Sequence, residues 1–209
     1  MNFIQARLEV IATCLDLAEK GYLAGTGGNV AYRIDEDHFA VTPSATDYYA
    51  MAPEDICVLR LDNLARVDGD RRPSVEHRLH AHLLHARRDC RASIHTHQPI
   101  ASAYTLLGRA LEIGDPRQQA ILGPKAAFVG YAPSGTRWLA WKLEKALRPE
   151  INAYLMGNHG VVCCGPTLAE TVARVEALEM ACADFFRRAI SQRAGRGCEP
   201  SVSDVLTLL

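Results

Sequence analysis

A sheet covered by helices is the architecture this sequence predicts, and three observations predict it. Segments with helical apolar spacing stand at both ends and in the middle, short strand-like runs fill the intervals, and glycine, proline or asparagine turns mark the joints. The 209 residues are 48% hydrophobic and 22% charged, enough for one sizeable core. No Pro/Gly/Ser-rich or charged linker interrupts the first 190 residues, so residues 1–209 are read as a single domain.

Residues 3–20 place Ile4, Leu8, Ile11, Leu15 and Ala18 at helical spacing, and Gly21 supplies a stop. "GTGGNVAYRI" then turns from a glycine-rich loop into a strand. "HFAVTPS" reads as a strand ending at Pro43, "EDICVLRLD" as another, and "DGDRRP" as a loop. "SVEHRLHAHLLHARRD" reads as a helix with Ser74 at its N-cap. "ASIHTHQP" is a strand closed by Pro99, and "IASAYTLL" a short helix. Residues 111–135, interrupted by Pro116, Pro124 and Pro133, suggest short strands or loops. "SGTRWLAWKLEKALR" predicts a helix starting near Ser134, and "NAYLMGNHGVVCCG" a strand, a turn at Gly157-Asn158 and a second strand. A long helix, "TLAETVARVEALEMACADFFRRAI", precedes a polar tail and a short amphipathic end.

Several function classes are disfavoured. A net charge of −1 implies neither nucleic acid nor an anionic membrane surface as a general partner. "MNFIQARLEV" lacks the basic and apolar regions of a signal peptide, and no apolar run approaches a membrane span. Seven cysteines without a C-x-x-C pair suggest reduced thiols and a cytoplasmic location.

The residues with chemical potential are scattered. His95 and His97 stand at i and i+2 in a strand, where alternate side chains share a face, so two imidazoles can meet one metal ion. His159 in "GNHGVV", presented by a glycine turn, is a third donor, and three histidines with an open position describe a catalytic zinc site. For His-x-His alone, ordinary sheet-lining histidines are an equally good reading. Glu76, in the first helical turn, suits acid/base work, although first-turn acids are commonly only stabilising. His80, one turn on, would share its face and orient it. "GTGGN" offers backbone amides as an anion nest but is neither a P-loop nor a dinucleotide fingerprint. "TPSAT" and "RPS" add hydroxyl turns.

Taken in order, "GTGGNV", "TPSA", "PSVE" followed by His80, "HTH" and "NHGVV" resemble the class II aldolase/adducin family, in particular its L-fuculose-phosphate aldolase branch, across residues from about 5 to 190. The resemblance implies a three-layer α/β/α fold around a central, largely antiparallel sheet. It implies His95, His97 and His159 as metal ligands, with Glu76 as the acid/base that also fills the metal's open position. It further implies Gly28 with Asn29, Ser44 with Ala45, and Ser74 with Val75 as substrate-phosphate contacts. The implied cofactor is zinc, with manganese, magnesium or another divalent ion as alternatives. The implied assembly is a homotetramer acting on a small phosphorylated or carboxylated molecule.

The chemistry implied is a lyase reaction: an aldolase cleaving a phosphorylated ketose or related hydroxy-carbonyl compound through a metal-stabilised enediolate, with Glu76 moving the proton. A decarboxylase, a sugar-phosphate epimerase or a methylthioribulose-phosphate-type dehydratase uses the same scaffold, and an adducin-like interaction module uses it without catalysis. Three departures argue against L-fuculose phosphate itself. Val75 stands where that branch has a second serine, Ala45 replaces a glycine, and the branch's catalytic tyrosines lack counterparts. Tyr48, Tyr49, Tyr104 and Tyr131 are the candidate substitutes, and Arg71 and Arg72 suit a phosphate or a carboxylate equally.

Overall fold

The computed structural model describes residues 2–194 apart from 24 and 26; the polar tail and the amphipathic C-terminal segment lie outside the described residues. The order is α1 (Phe3–Glu19), β1 (Asn29–Arg33), β2 (His38–Val41), β3 (Cys57–Arg60), β4 (Arg66–Asp68), α2 (His77–Ala86), β5 (Ala92–Thr96) and α3 (Pro99–Tyr104). It continues with β6 (Leu111–Glu112), α4 (Pro116–Leu122), β7 (Lys125–Val129), α5 (Arg137–Ala146), β8 (Ala153–Met156), β9 (Gly160–Gly165) and α6 (Leu168–Ala194). Among the described residues nine strands form one sheet, ordered β4-β3-β2-β1-β5-β9-β8-β7-β6. Only β7 and β8 run parallel, so the sheet is largely antiparallel, as the family resemblance implied.

Strand alternation divides the interior into two layers. Val30, Ile94, Leu155, Val161 and Cys163 face α1, α3 and α6, which contribute Val10, Ala101 and Val175. Ala31, Tyr154, Met156, Val162 and Cys164 face the opposite way, towards Leu79, Leu83 and Leu84 of α2 and Leu139 and Leu143 of α5. Each fully buried leucine contributes about 2 kcal/mol, which holds α2 firmly on the sheet. Ser93 and His95 share the α2 face, because they alternate with Ile94.

Some local expectations change. The buried stripe of α1 is Ala6, Val10, Cys14 and Leu17, while Ile4 and Leu8 are close to half exposed. Two apolar stripes compete on that helix, and the one carrying smaller residues fits against the sheet. Helix α2 starts at His77, so Glu76 is its N-cap residue rather than part of its first turn, and Ser74 lies before it in a turn. That turn is closed by His77 N–H donating to Ser74 O and by Glu76 N–H donating to Ser74 Oγ. Helix α5 begins at Arg137 with Thr136 as its cap, which leaves Ser134 outside. Helix α4 was not foreseen; Asp115 accepts from Arg117 and Gln118 N–H, and Pro116 occupies the first turn, where its missing N–H costs nothing. "DGDRRP" is strand at its start, since Asp68 ends β4.

Six cysteines among the described residues are free and buried. No described helix is long and apolar enough to cross a membrane.

Candidate metal centre

Neighbouring strands assemble the site. In the β1–β5 ladder Asn29 lies directly opposite His95, and in the β5–β9 ladder His95 lies opposite Val162. Opposed residues share a face, so Asn29 and His95 both project towards α2. His97 falls just past the end of β5 yet keeps the alternation, and its Nε2 lies 3.0 Å from His95 Nε2. His159 enters from the β8–β9 turn, whose left-handed residue is Asn158 (φ 55°). A Cβ on Gly157 would stand 2.9 Å from Phe128 Cζ, so close packing rather than backbone freedom accounts for that glycine. The ligand atoms of His95, His97 and His159 all lie within 4.8 Å of one another.

Glu76 is inserted into this histidine cluster. Its Oε2 lies 3.2 Å from His95 Nε2 and accepts from the Asn29 amide at 2.9 Å. Its Oε1 lies 3.0 Å from His159 Nε2 and accepts from the Ser134 hydroxyl at 2.9 Å. Behind Asn29 runs a buried chain: His80 Nε2 to Asn29 Oδ1 at 2.5 Å and His80 Nδ1 to Ser93 Oγ at 2.7 Å. Burial pushes His80 down to about 3, so the ring is neutral. Its Nε2–H donates to Asn29, which leaves Nδ1 to accept from Ser93. Every donor in the chain therefore points towards the carboxylate. His80 does orient Glu76, but through Asn29 rather than along the helix face.

The protonation states follow. Burial pushes His95 down to about 4 and lowers His97 as well. Burial alone would raise Glu76; positive charge at the neighbouring His95 and His159 positions, with the Asn29 amide, outweighs it and holds the carboxyl well below its usual range, a charge that a cation held by these rings would supply when they are neutral. His95 Nδ1 lies 2.8 Å from the Val161 carbonyl, which only accepts, so the ring's proton is there and its Nε2 presents a lone pair. That lone pair faces another imidazole nitrogen and an ionised carboxylate. Convergent acceptors of this kind fit a shared cation. Two ligands of one tetrahedral zinc, with bonds of about 2.0–2.1 Å, lie about 3.3 Å apart, close to the 3.0–3.2 Å separations here.

One cleft is lined by Gly28, Asn29, Ser44, Ala45, Ser74, Val75 and Glu76 together with His97, Ser134 and His159. Of the metal, acid/base and anion-contact residues that the resemblance implied, all but the wholly buried His95 line it. Gly28 (φ 89°) permits a close approach, since a Cβ there would stand 2.7 Å from the His95 carbonyl oxygen. Ala45 is left-handed (φ 51°), a conformation in which glycine is unstrained. Val75 is 57% exposed, and Asn29 spends both ends of its amide on Glu76 and His80. Ser134 is the side chain lining this cleft that sequence reasoning missed.

The tyrosines separate clearly. Tyr104 is buried and donates to Ala110 O, while Tyr48 donates to Gly28 O and so braces the glycine loop. Tyr49 and Tyr131 are exposed, and the Tyr131 backbone nitrogen would stand 3.2 Å from a Cβ on Gly157, beside the His159 turn. Arg71 donates to Thr46 Oγ1 and pairs with Asp55 at 3.7 Å.

Comparison with known proteins gives a consistent picture. The family model described as "Class II Aldolase and Adducin N-terminal domain" matches residues 8–185. The chain is 30% identical over 173 residues to an L-fuculose phosphate aldolase of Methanococcus maripaludis, covering 82% of this chain and 91% of the relative. It is 31% identical over 183 residues to a 5-deoxy-D-ribulose 1-phosphate aldolase of Bacillus thuringiensis, covering 86% and 83%. A solved L-fuculose 1-phosphate aldolase superposes with a TM-score of 0.81 at 26% identity, covering 97% of this chain and 94% of that one.

Proposed function

Because the chain belongs to the class II aldolase and adducin family, we propose that it is a divalent-metal lyase cleaving a small phosphorylated ketose or related hydroxy-carbonyl compound. The observation that carries this reading is the convergence of three imidazoles and an ionised carboxylate on one point. His95, His97 and His159 would hold the ion, with Glu76 beside them. Three nitrogen donors suit zinc better than magnesium or manganese, which favour oxygen ligands. When bound, the ion supplies Lewis acidity at the substrate's carbonyl oxygen.

This chain's own residues do the rest. Glu76, ionised and held at both oxygens, takes or returns the proton at the reacting carbon. The Gly28, Ser44 and Ser74 segments rim the same cleft, where hydroxyls and the backbone amides not already paired would meet an anionic group. With Val75 in place of a hydroxyl and Ala45 in place of glycine, the anionic end differs from that of an L-fuculose-phosphate enzyme. Of the four tyrosines, Tyr131 is the remaining candidate for protonating the leaving group, being exposed beside the His159 turn.

The decisive experiment has two parts. Purified protein should carry close to one ion per chain, and the His95→Ala/His97→Ala/His159→Ala variant should carry none; metal-free, metal-refusing wild type would favour an adducin-like module instead. Holoenzyme is then incubated with ketose 1-phosphates and oxo-acids, following dihydroxyacetone phosphate and carbon dioxide separately. Carbon dioxide without a triose phosphate would replace the aldolase by a decarboxylase.

A further inference from the structure

The two oxygens of Glu76 are held unequally. Oε2 is held by Asn29, whose amide is locked through His80 to Ser93, all of them buried. Besides the imidazole that faces each oxygen, His95 at Oε2 and His159 at Oε1, Oε1 has one hydroxyl partner, Ser134, from an exposed turn of the β7–α5 connection. That turn is closed by Thr136 N–H donating to Pro133 O and contains left-handed Gly135 (φ 72°). It rests on Val75, since a Cβ on Gly135 would stand 3.2 Å from Val75 Cβ. The chain therefore delivers a donor to the carboxylate from a loop separate from the strands that carry the histidines.

We propose that Ser134 is a positioning residue for Glu76: its hydroxyl engages Oε1 and so governs how strongly the carboxylate binds the cation and how freely it acts as a base. The inference rests on the lyase reading above. A hydrogen bond drains charge from a carboxylate oxygen, making it a weaker ligand. Asn29 acts as the fixed pivot and Ser134 as the releasable contact at the open edge. Without the hydroxyl, Oε1 turns to the metal instead, so the ion is held more tightly and the base is less available.

The test is a cobalt(II) titration of metal-stripped protein, read by visible absorption, for wild type, Ser134→Ala, Ser134→Thr, Glu76→Gln and the Ser134→Ala/Glu76→Gln pair. Ser134→Ala should bind cobalt about fivefold more tightly than wild type, the magnitude of one partly exposed charge-assisted hydrogen bond. Ser134→Thr, which keeps a hydroxyl, should match wild type. In the Glu76→Gln background the alanine change should have no effect. An equal change in both backgrounds, or none in either, would overturn the positioning role. Wild type that binds no cobalt would instead sink the lyase reading. Thermal melts within about 1 °C of wild type, as usual for exposed substitutions, exclude a folding defect.

Discussion

On the sheet side of the cleft, Ser93, His80 and Asn29 are buried and joined by a directed series of hydrogen bonds ending on Glu76, with His95 buried beside them. On the loop side, Ala45, Val75 and Ser134 are exposed and sit in turns. The buried half leaves little freedom, because each polar atom without its partner costs about 1–3 kcal/mol. The exposed half tolerates change, and there the departures from the L-fuculose-phosphate branch accumulate. Under the proposed function, the contrast assigns reaction class to strand register and burial and substrate choice to turn geometry.

The contrast can be broken or sharpened in four ways. Replacing Glu76 by glutamine should leave the ion bound and lower turnover by about 10²–10⁴-fold, the usual worth of a general base; steady-state kinetics with metal analysis decides. The second concerns acid. His80 is held at about 3 against an ordinary 6.5, so the unfolded chain takes up its proton first as pH falls. The stability due to neutral His80 is thus complete above about pH 6.5 and is lost progressively towards pH 3, at about 1.4 kcal/mol per unit. Urea melts of metal-free protein between pH 6 and 4 should show a slope shallower by about that amount in His80→Gln. An unchanged slope would mean that the buried half is not held by a neutral histidine. Third, Asn29→Ala should cost about 2 kcal/mol by stranding His80 and one Glu76 oxygen, read by chemical denaturation. Last and smallest, Ala45→Gly should stabilise the protein by about 0.5–1 kcal/mol, raising the melting temperature by about 2 °C, because glycine relieves the left-handed strain.

Much of the layered fold was legible because apolar periodicity reports which face is buried. Helix α1 was legible but its buried face was not, since Ile4 and Leu8 stay close to half exposed while Ala6, Val10, Cys14 and Leu17 pack inward. Periodicity failed at α4, where the prolines that looked like breakers frame the helix, Pro116 opening it and Pro124 following Gly123 at its end. The histidine pair was readable from strand alternation. The partners of Glu76 were not, since Asn29 lies 47 residues away and Ser134 lies 58 away. Local rules cannot bring such pairs together; strand order does, by setting β1 beside β5, and so does the packing of the β7–α5 turn against Val75.

Gly28 has a consequence for the evolution of the cleft. The glycine loop packs against the strand carrying His95 so closely that a Cβ on Gly28 would clash with the His95 carbonyl oxygen and with Leu23. It serves as a spacer of fixed thickness between the anion-facing loop and the histidine cluster. Any side chain at position 28 would thicken that spacer and move the two ends of the cleft apart. Under the proposed function, a longer or shorter substrate would be fitted by reshaping the turns at Ser44, Ser74 and Ser134, while this dimension stays constant.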